Sequence, residues 1–96
     1  GFVVTVGIGL DRNIKIYEKG QNDYKSIMIR ILADRLTEAC AELIHYKVRN
    51  KFWGYSQNEN INLSDILNEK YQGIRPAIGF PSLPDHSEKI ALFELV

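Results

Sequence analysis

The most constraining feature of the sequence is a single helical period about thirty residues long. From Asp23 to about Phe52, apolar residues fall at Tyr24, Ile27, Met28, Ile31, Leu32, Leu36, Ala39, Cys40, Leu43, Ile44 and Val48. These steps of three and four make one broad stripe of an amphipathic helix. Asn22 or Asp23 can cap its start. Lys47, Arg49 and Lys51 occupy the last turns, where cations suit the helix dipole, and Gly54 ends it. Such a helix is ~45 Å long. The rest of a 96-residue chain is too short to cover one face of it.

The surrounding segments are shorter. Phe2 to Ile8 (FVVTVGI) is apolar and β-branched and reads as a buried strand, with Gly7 and Gly9 marking its end. Residues 11–22 are polar and poorly periodic, with Gly20 as a breaker, and accommodate a short strand or a helix turn. Residues 55–63 form a polar loop. Ser64 to Tyr71 reads as a short helix capped by Ser64. All three prolines lie in 73–84, interleaved with Gly73 and Gly79, so this stretch is a shaped, rigid loop. Asp85-His-Ser-Glu88 has capping-box spacing, with a final helix from Ser87 to Val96. That helix stops on ALFELV without a cap, which predicts a piece of a longer chain.

Composition narrows the function classes. Twelve Lys+Arg balance twelve Asp+Glu, which argues against a general phosphate-binding surface. No apolar run reaches the ~18 residues of a membrane span. The opening GFVVTVGIGL lacks the basic residues and cleavage box of a secretory signal. With one cysteine, Cys40, there is no intramolecular disulfide, and a reducing, cytoplasmic compartment is expected.

Several residue patterns invite chemistry. Gly7-Ile-Gly9 begins like a dinucleotide fingerprint, but Arg12 stands where its third glycine belongs, so a strand-ending turn is the simpler reading. Asp34, Glu38 and Glu42 form a carboxylate stripe at i, i+4 and i+8, either solvated or facing a cation. Glu42-x-x-His45 has the spacing of di-metal bundles, yet no second copy exists and His86 lies in a loop, so no metal is expected. His45 reads instead as a partly exposed helical residue. Cys40 reads as a small core hydrophobe. The best candidate is Arg75-Pro-Ala-Ile-Gly79-Phe80-Pro81, one fork-shaped cation on a braced backbone. Two readings of it stand: a carboxylate site, or a structural turn in which Arg75 pairs with Glu69 or Asp85.

The runs ADRLTEACAELIH (33–45), FWGY (52–55), NENI (58–61), YQGIRPAIGFPSLPDHSEK (71–89) and FELV (93–96) resemble the activation domain of cobalamin-dependent methionine synthase. The resemblance covers roughly residues 22 to 96; the first twenty match loosely. It implies an α+β fold, part of a bent plate in which a twisted antiparallel sheet is flanked by a long helix, with 1–96 a partial domain. It implies S-adenosylmethionine bound in a shallow groove and docking on a cobalamin module. There the ligand remethylates oxidised cobalamin while flavodoxin or a similar reductase supplies an electron.

By the same resemblance Arg75 holds the methionine carboxylate. Ala77, Gly79 and Phe80 continue the binding loop, and Glu38 and Glu69 lie near the ligand's cationic end. Asp34 and Phe80 meet the cobalamin module. Phe80 departs from the family's usual Tyr, so any role of that hydroxyl is lost. The family's earlier segment, which brings an Asp to the ligand's amine, and a later contributing strand are absent here. The alternative is a protein-interaction piece whose proline-rich loop and acid stripe dock on a cobalamin module or reductase without a ligand.

Overall fold

Leu10, Ile14 and Tyr17 stand at i, i+4 and i+7, and they are the covered positions of a ten-residue helix, α1 (Leu10–Lys19). The structure is a computed structural model that describes residues 1–96. It places α1 in the stretch where the sequence offered only a turn or short strand. The polar residues that obscured its period lie on the exposed side. Its end is set by backbone geometry: Gln21 adopts φ 57, its N–H bonds Glu18 O at 3.1 Å, and Asn22 N bonds Tyr17 O at 2.8 Å. This is a Schellman motif with glutamine in the left-handed position.

The long helix forms as expected. α2 runs Asp23–Lys47 and passes into a π-helical turn, Val48–Phe52. Asn22 is its cap, with Oδ1 accepting from Lys25 N at 3.4 Å. The turn closes through Trp53 N and Gly54 N, which both bond Val48 O, at 3.0 and 3.1 Å. α3 (Leu63–Leu67) is shorter than the Ser64–Tyr71 expectation, and its cap is Asn62 instead of Ser64. Asn62 Oδ1 accepts from Asp65 N at 2.9 Å while Asp65 Oδ2 accepts from Asn62 N at 3.2 Å, a complete capping box. α4 (Glu88–Leu95) begins from Ser87. Asp85 forms no capping box; its Oδ1 accepts from Ser87 N at 2.9 Å and Ser87 Oγ at 2.7 Å. These two bonds hold the Asp85 carboxyl below the usual carboxylate range.

No strand or sheet is present, so the expected α+β plate is corrected to an all-α chain. Phe2 to Ile8 carries the clearest strand signal. Phe2, Val4 and Val6 are half-buried while their neighbours are exposed, a period of two without a ladder. A strand needs a second strand to pair its backbone. Every other apolar segment here is helix or turn.

The chain divides into two compact units. One, residues 4–43, contains α1 and most of α2. Arg30 Nη2 meets Glu18 Oε1 at 2.7 Å, and Lys25 Nζ lies 5.6 Å from the Tyr17 ring centre, holding the two helices together beside the turn. The other comprises residues 1–3 and 44–96.

Burial on α2 departs from the apolar stripe. One covered line runs through Ser26, Ile29, Ala33, Thr37, Ala41 and His45 and continues to Arg49 in the π-helical turn, again in steps of three and four, while Cys40, Ile44 and Val48 of the stripe are half-buried beside it. Ile27, Met28, Ile31, Leu32, Leu36 and Leu43 are exposed. Periodicity revealed which side is apolar, but most of that side stays exposed. Cys40 is only half-buried, and His45 is buried, against expectation. Ile14, Ala41 and Tyr71 are the whole buried apolar set. A fully buried Ile or Leu contributes only ~1.5–3 kcal/mol, so this core is thin.

Candidate functional site

The proline-glycine segment folds as two successive turns. Phe80 N bonds Ala77 O at 3.1 Å, Leu83 N bonds Phe80 O at 2.9 Å, and Gly79 N bonds Leu83 O at 2.8 Å. Gly79 occupies the third position of the first turn at φ 98, as a type II turn requires. A Cβ there would also stand 2.5 Å from His86 Cε1, so the imidazole lies directly on the glycine. Upstream, Tyr55 Oη donates to Gln72 O at 3.1 Å. Gly73 adopts φ 92, and its absent side chain leaves room for that phenol: a Cβ would lie 3.1 Å from Tyr55 Oη.

Ser82 of these turns joins Glu69, Tyr71, Gly73, Ile74, Arg75 and Pro76 in lining an open pocket of ≈ 240 Å³. Arg75 is half-buried and Glu69 exposed. Glu69 is delivered by the end of α3. It adopts φ 54, its N–H bonds Ile66 O at 3.0 Å, and Lys70 N bonds Asp65 O at 2.9 Å. This is a second Schellman motif, with glutamate where glycine or asparagine is usual. The pocket thus holds a carboxylate and a guanidinium together, a charge pattern that suits a zwitterion.

Behind the pocket lies a buried charged cluster. Arg49 is 0% exposed. Its Nε donates to Glu59 Oε1 at 2.7 Å and its Nη2 to Glu59 Oε2 at 3.1 Å. The guanidinium carbon sits 4.1 Å from the Tyr71 ring centre and 6.0 Å from that of Tyr46. Nη1 is buried without a hydrogen-bond acceptor, in a guanidinium whose carbon lies over the Tyr71 ring. His45 meets the same ring edge-on, at 4.8 Å between centroids and 87° between planes.

The sequence matches the family described as vitamin B12 dependent methionine synthase, activation domain, over residues 1–96. The chain belongs to that activation-domain family. It is also similar to a solved structure described as the crystal structure of the MetH reactivation domain bound to AdoHcy, at 47% identity and a TM-score of 0.85. The match covers 88% of this chain and 26% of that one, so the chain spans about a quarter of its relative's length.

Within this member of the activation-domain family, the expected site residues divide. Arg75 and Glu69 line one pocket. Ala77, Gly79 and Phe80 follow on the same loop beyond that lining, with Phe80 exposed. Asp34 and Glu38 are exposed on α2, in the unit of residues 4–43. Sequence reasoning missed the cluster behind the pocket. Arg49 passed for a helix-dipole cation, yet it continues the Ala41–His45 step of four onto the covered face. Its partner Glu59 lay within the NENI run, where spacing gives no sign of a contact ten residues away.

Proposed function

We propose that this chain binds S-adenosylmethionine as part of the activation domain of a cobalamin-dependent methionine synthase, and so supports reductive remethylation of oxidised cobalamin in methionine biosynthesis. The supporting observation is the pocket that presents both Arg75 and Glu69. Its ≈ 240 Å³ falls below the ~300–1,000 Å³ of pockets that enclose a whole small ligand. It is the right scale for the amino-acid end of the ligand, with the adenosyl portion lying along the loop outside.

In this reading Arg75 grips the ligand's carboxylate as a fork, and Pro76 lowers the cost of ordering it. Glu69 faces the ammonium and sulfonium, and Glu38 keeps the ligand-binding role that the family resemblance implies for it. The backbone of Ala77 and Gly79 lies close to the ligand, since glycine lets the chain approach. Phe80 and Asp34 meet the cobalamin module. The bound sulfonium supplies the methyl group, and a flavodoxin-like reductase the electron. Cobalamin is held by a neighbouring module, in the reducing cytoplasm, and no residue of this chain is assigned to ligate it. This chain's contribution is positioning, so alone it transfers no methyl to homocysteine.

A second reading has one observation in its favour. The exposed apolar residues of α2, with Ile90, Phe93 and Leu95 of α4, would suit a piece that docks on protein without a ligand. Calorimetric titration of the full-length protein with S-adenosylmethionine separates the two. Saturable binding that Arg75→Ala weakens supports the ligand reading. No binding, with association to the cobalamin module retained, supports the docking reading.

A further inference from the structure

We propose that Arg49 is a positioning residue for the ligand pocket, acting through Tyr71. The proposal rests on the ligand-binding reading above. Of the residues that line the pocket, Tyr71 alone is buried. It is therefore the one fixed wall, and Arg75 follows it by four residues. Arg49 stacks on the Tyr71 face, and Glu59 holds Arg49 through both carboxylate oxygens. His45 packs T-shaped against the same ring. The stack ties the end of α2, the loop before α3 and the pocket segment into one unit.

Energetics argue against stability as the reason for this arrangement. Both charges are nearly water-free, with side-chain exposures of 0% for Arg49 and 4% for Glu59. The desolvation cost of such a pair offsets its attraction, and apolar replacements of similar volume are often neutral or stabilising. What apolar side chains cannot supply is a planar, orientation-defining grip on an aromatic face. Lysine cannot supply it either, because an ammonium lacks the fork.

The test uses the full-length protein, calorimetric titration with S-adenosylhomocysteine, and thermal midpoints measured in parallel. Arg49→Lys is expected to weaken binding by roughly tenfold, less than the ~100-fold that a 1 Å misplacement of a reacting group can cost. The pair Arg49→Met with Glu59→Leu is expected to keep or recover the parent midpoint while binding stays weak by a similar factor. A purely structural role would restore both together. Ile14→Val, on α1 and outside this unit, is expected to lower the midpoint and leave affinity unchanged.

Parent-like affinity in Arg49→Lys and in the Met/Leu pair overturns the proposal and leaves the ligand reading standing. A parent that does not bind removes both. Where Arg49→Lys does not fold, the Met/Leu pair and the milder Glu59→Gln decide on the same criterion.

Discussion

Glu69 sits in a backbone conformation that its side chain does not favour, and replacing it should make the protein more stable and less able to bind. At φ 54 it occupies the left-handed position that closes α3. An L-residue there costs roughly 1–2 kcal/mol relative to right-handed helix. Glycine carries no such steric cost, but it adds backbone freedom to the unfolded chain, which opposes folding by about 0.4–1 kcal/mol. The Glu69 side chain is exposed, so no packing is lost. The balance favours Glu69→Gly by ~0.5–1 kcal/mol. For a domain of this size that raises the midpoint by about 2–8 °C.

Binding should move the other way. A charge-assisted hydrogen bond contributes ~1.5–3 kcal/mol, and an exposed carboxylate belongs at the low end, which is about tenfold in affinity. Gln21→Gly supplies the control. Gln21 closes α1 in the same motif at φ 57, in the unit of residues 4–43. It should raise the midpoint comparably and leave affinity alone. Thermal unfolding of the chain and titration of the full-length protein with S-adenosylmethionine read the two effects. A fall in midpoint for Glu69→Gly would refute the strain argument. Unchanged affinity would refute the role of the carboxylate.

Arg75→Ala should weaken S-adenosylmethionine binding by roughly 30-fold or more in the full-length protein, the low end of the cost of breaking a shielded charge pair, with Arg75→Lys recovering only part; parent-like titration of Arg75→Ala would leave a structural turn in its place. Gly79→Ala meets both a positive φ and the His86 ring 2.5 Å away, so it should lower the midpoint and loosen the 77–83 turns, visible as faster exchange of the Phe80 and Leu83 amides. The exposed α2 residues should drive self-association of the isolated chain, with sedimentation moving toward monomer in Leu32→Glu. Asp85, whose folded pKa lies below its unfolded value, stabilises the start of α4 above the unfolded pKa and loses that contribution as pH falls through the folded one; the Ser87 amide should report this in an acid titration, and Asp85→Asn should flatten it.

What could be read from the sequence was local, and what could not was the company each surface keeps. The period of α2, its asparagine cap and its stop at Gly54 are properties of neighbouring residues, and they emerged intact. The turn chemistry of 73–84 was legible for the same reason. That Arg75 and Glu69 line one pocket was suggested by the family resemblance and not by local spacing, which does not say whether the two share a pocket or a salt bridge. Phe2–Ile8 has the pattern of a strand, but a strand is a relation between two segments, and no segment here pairs with it. The same logic inverts much of α2: Ile27, Met28, Ile31, Leu32, Leu36 and Leu43 of its apolar stripe are exposed while Ser26, Ala41, His45 and, in the following turn, Arg49 are covered. Charge misled most at Arg49, because sequence reasoning assigns cations at a helix end to solvent and the dipole. Burial of that cation becomes intelligible only once Glu59 and Tyr71 are seen to close around it. That geometry sets a buried arginine against Tyr71, the buried residue of the pocket lining.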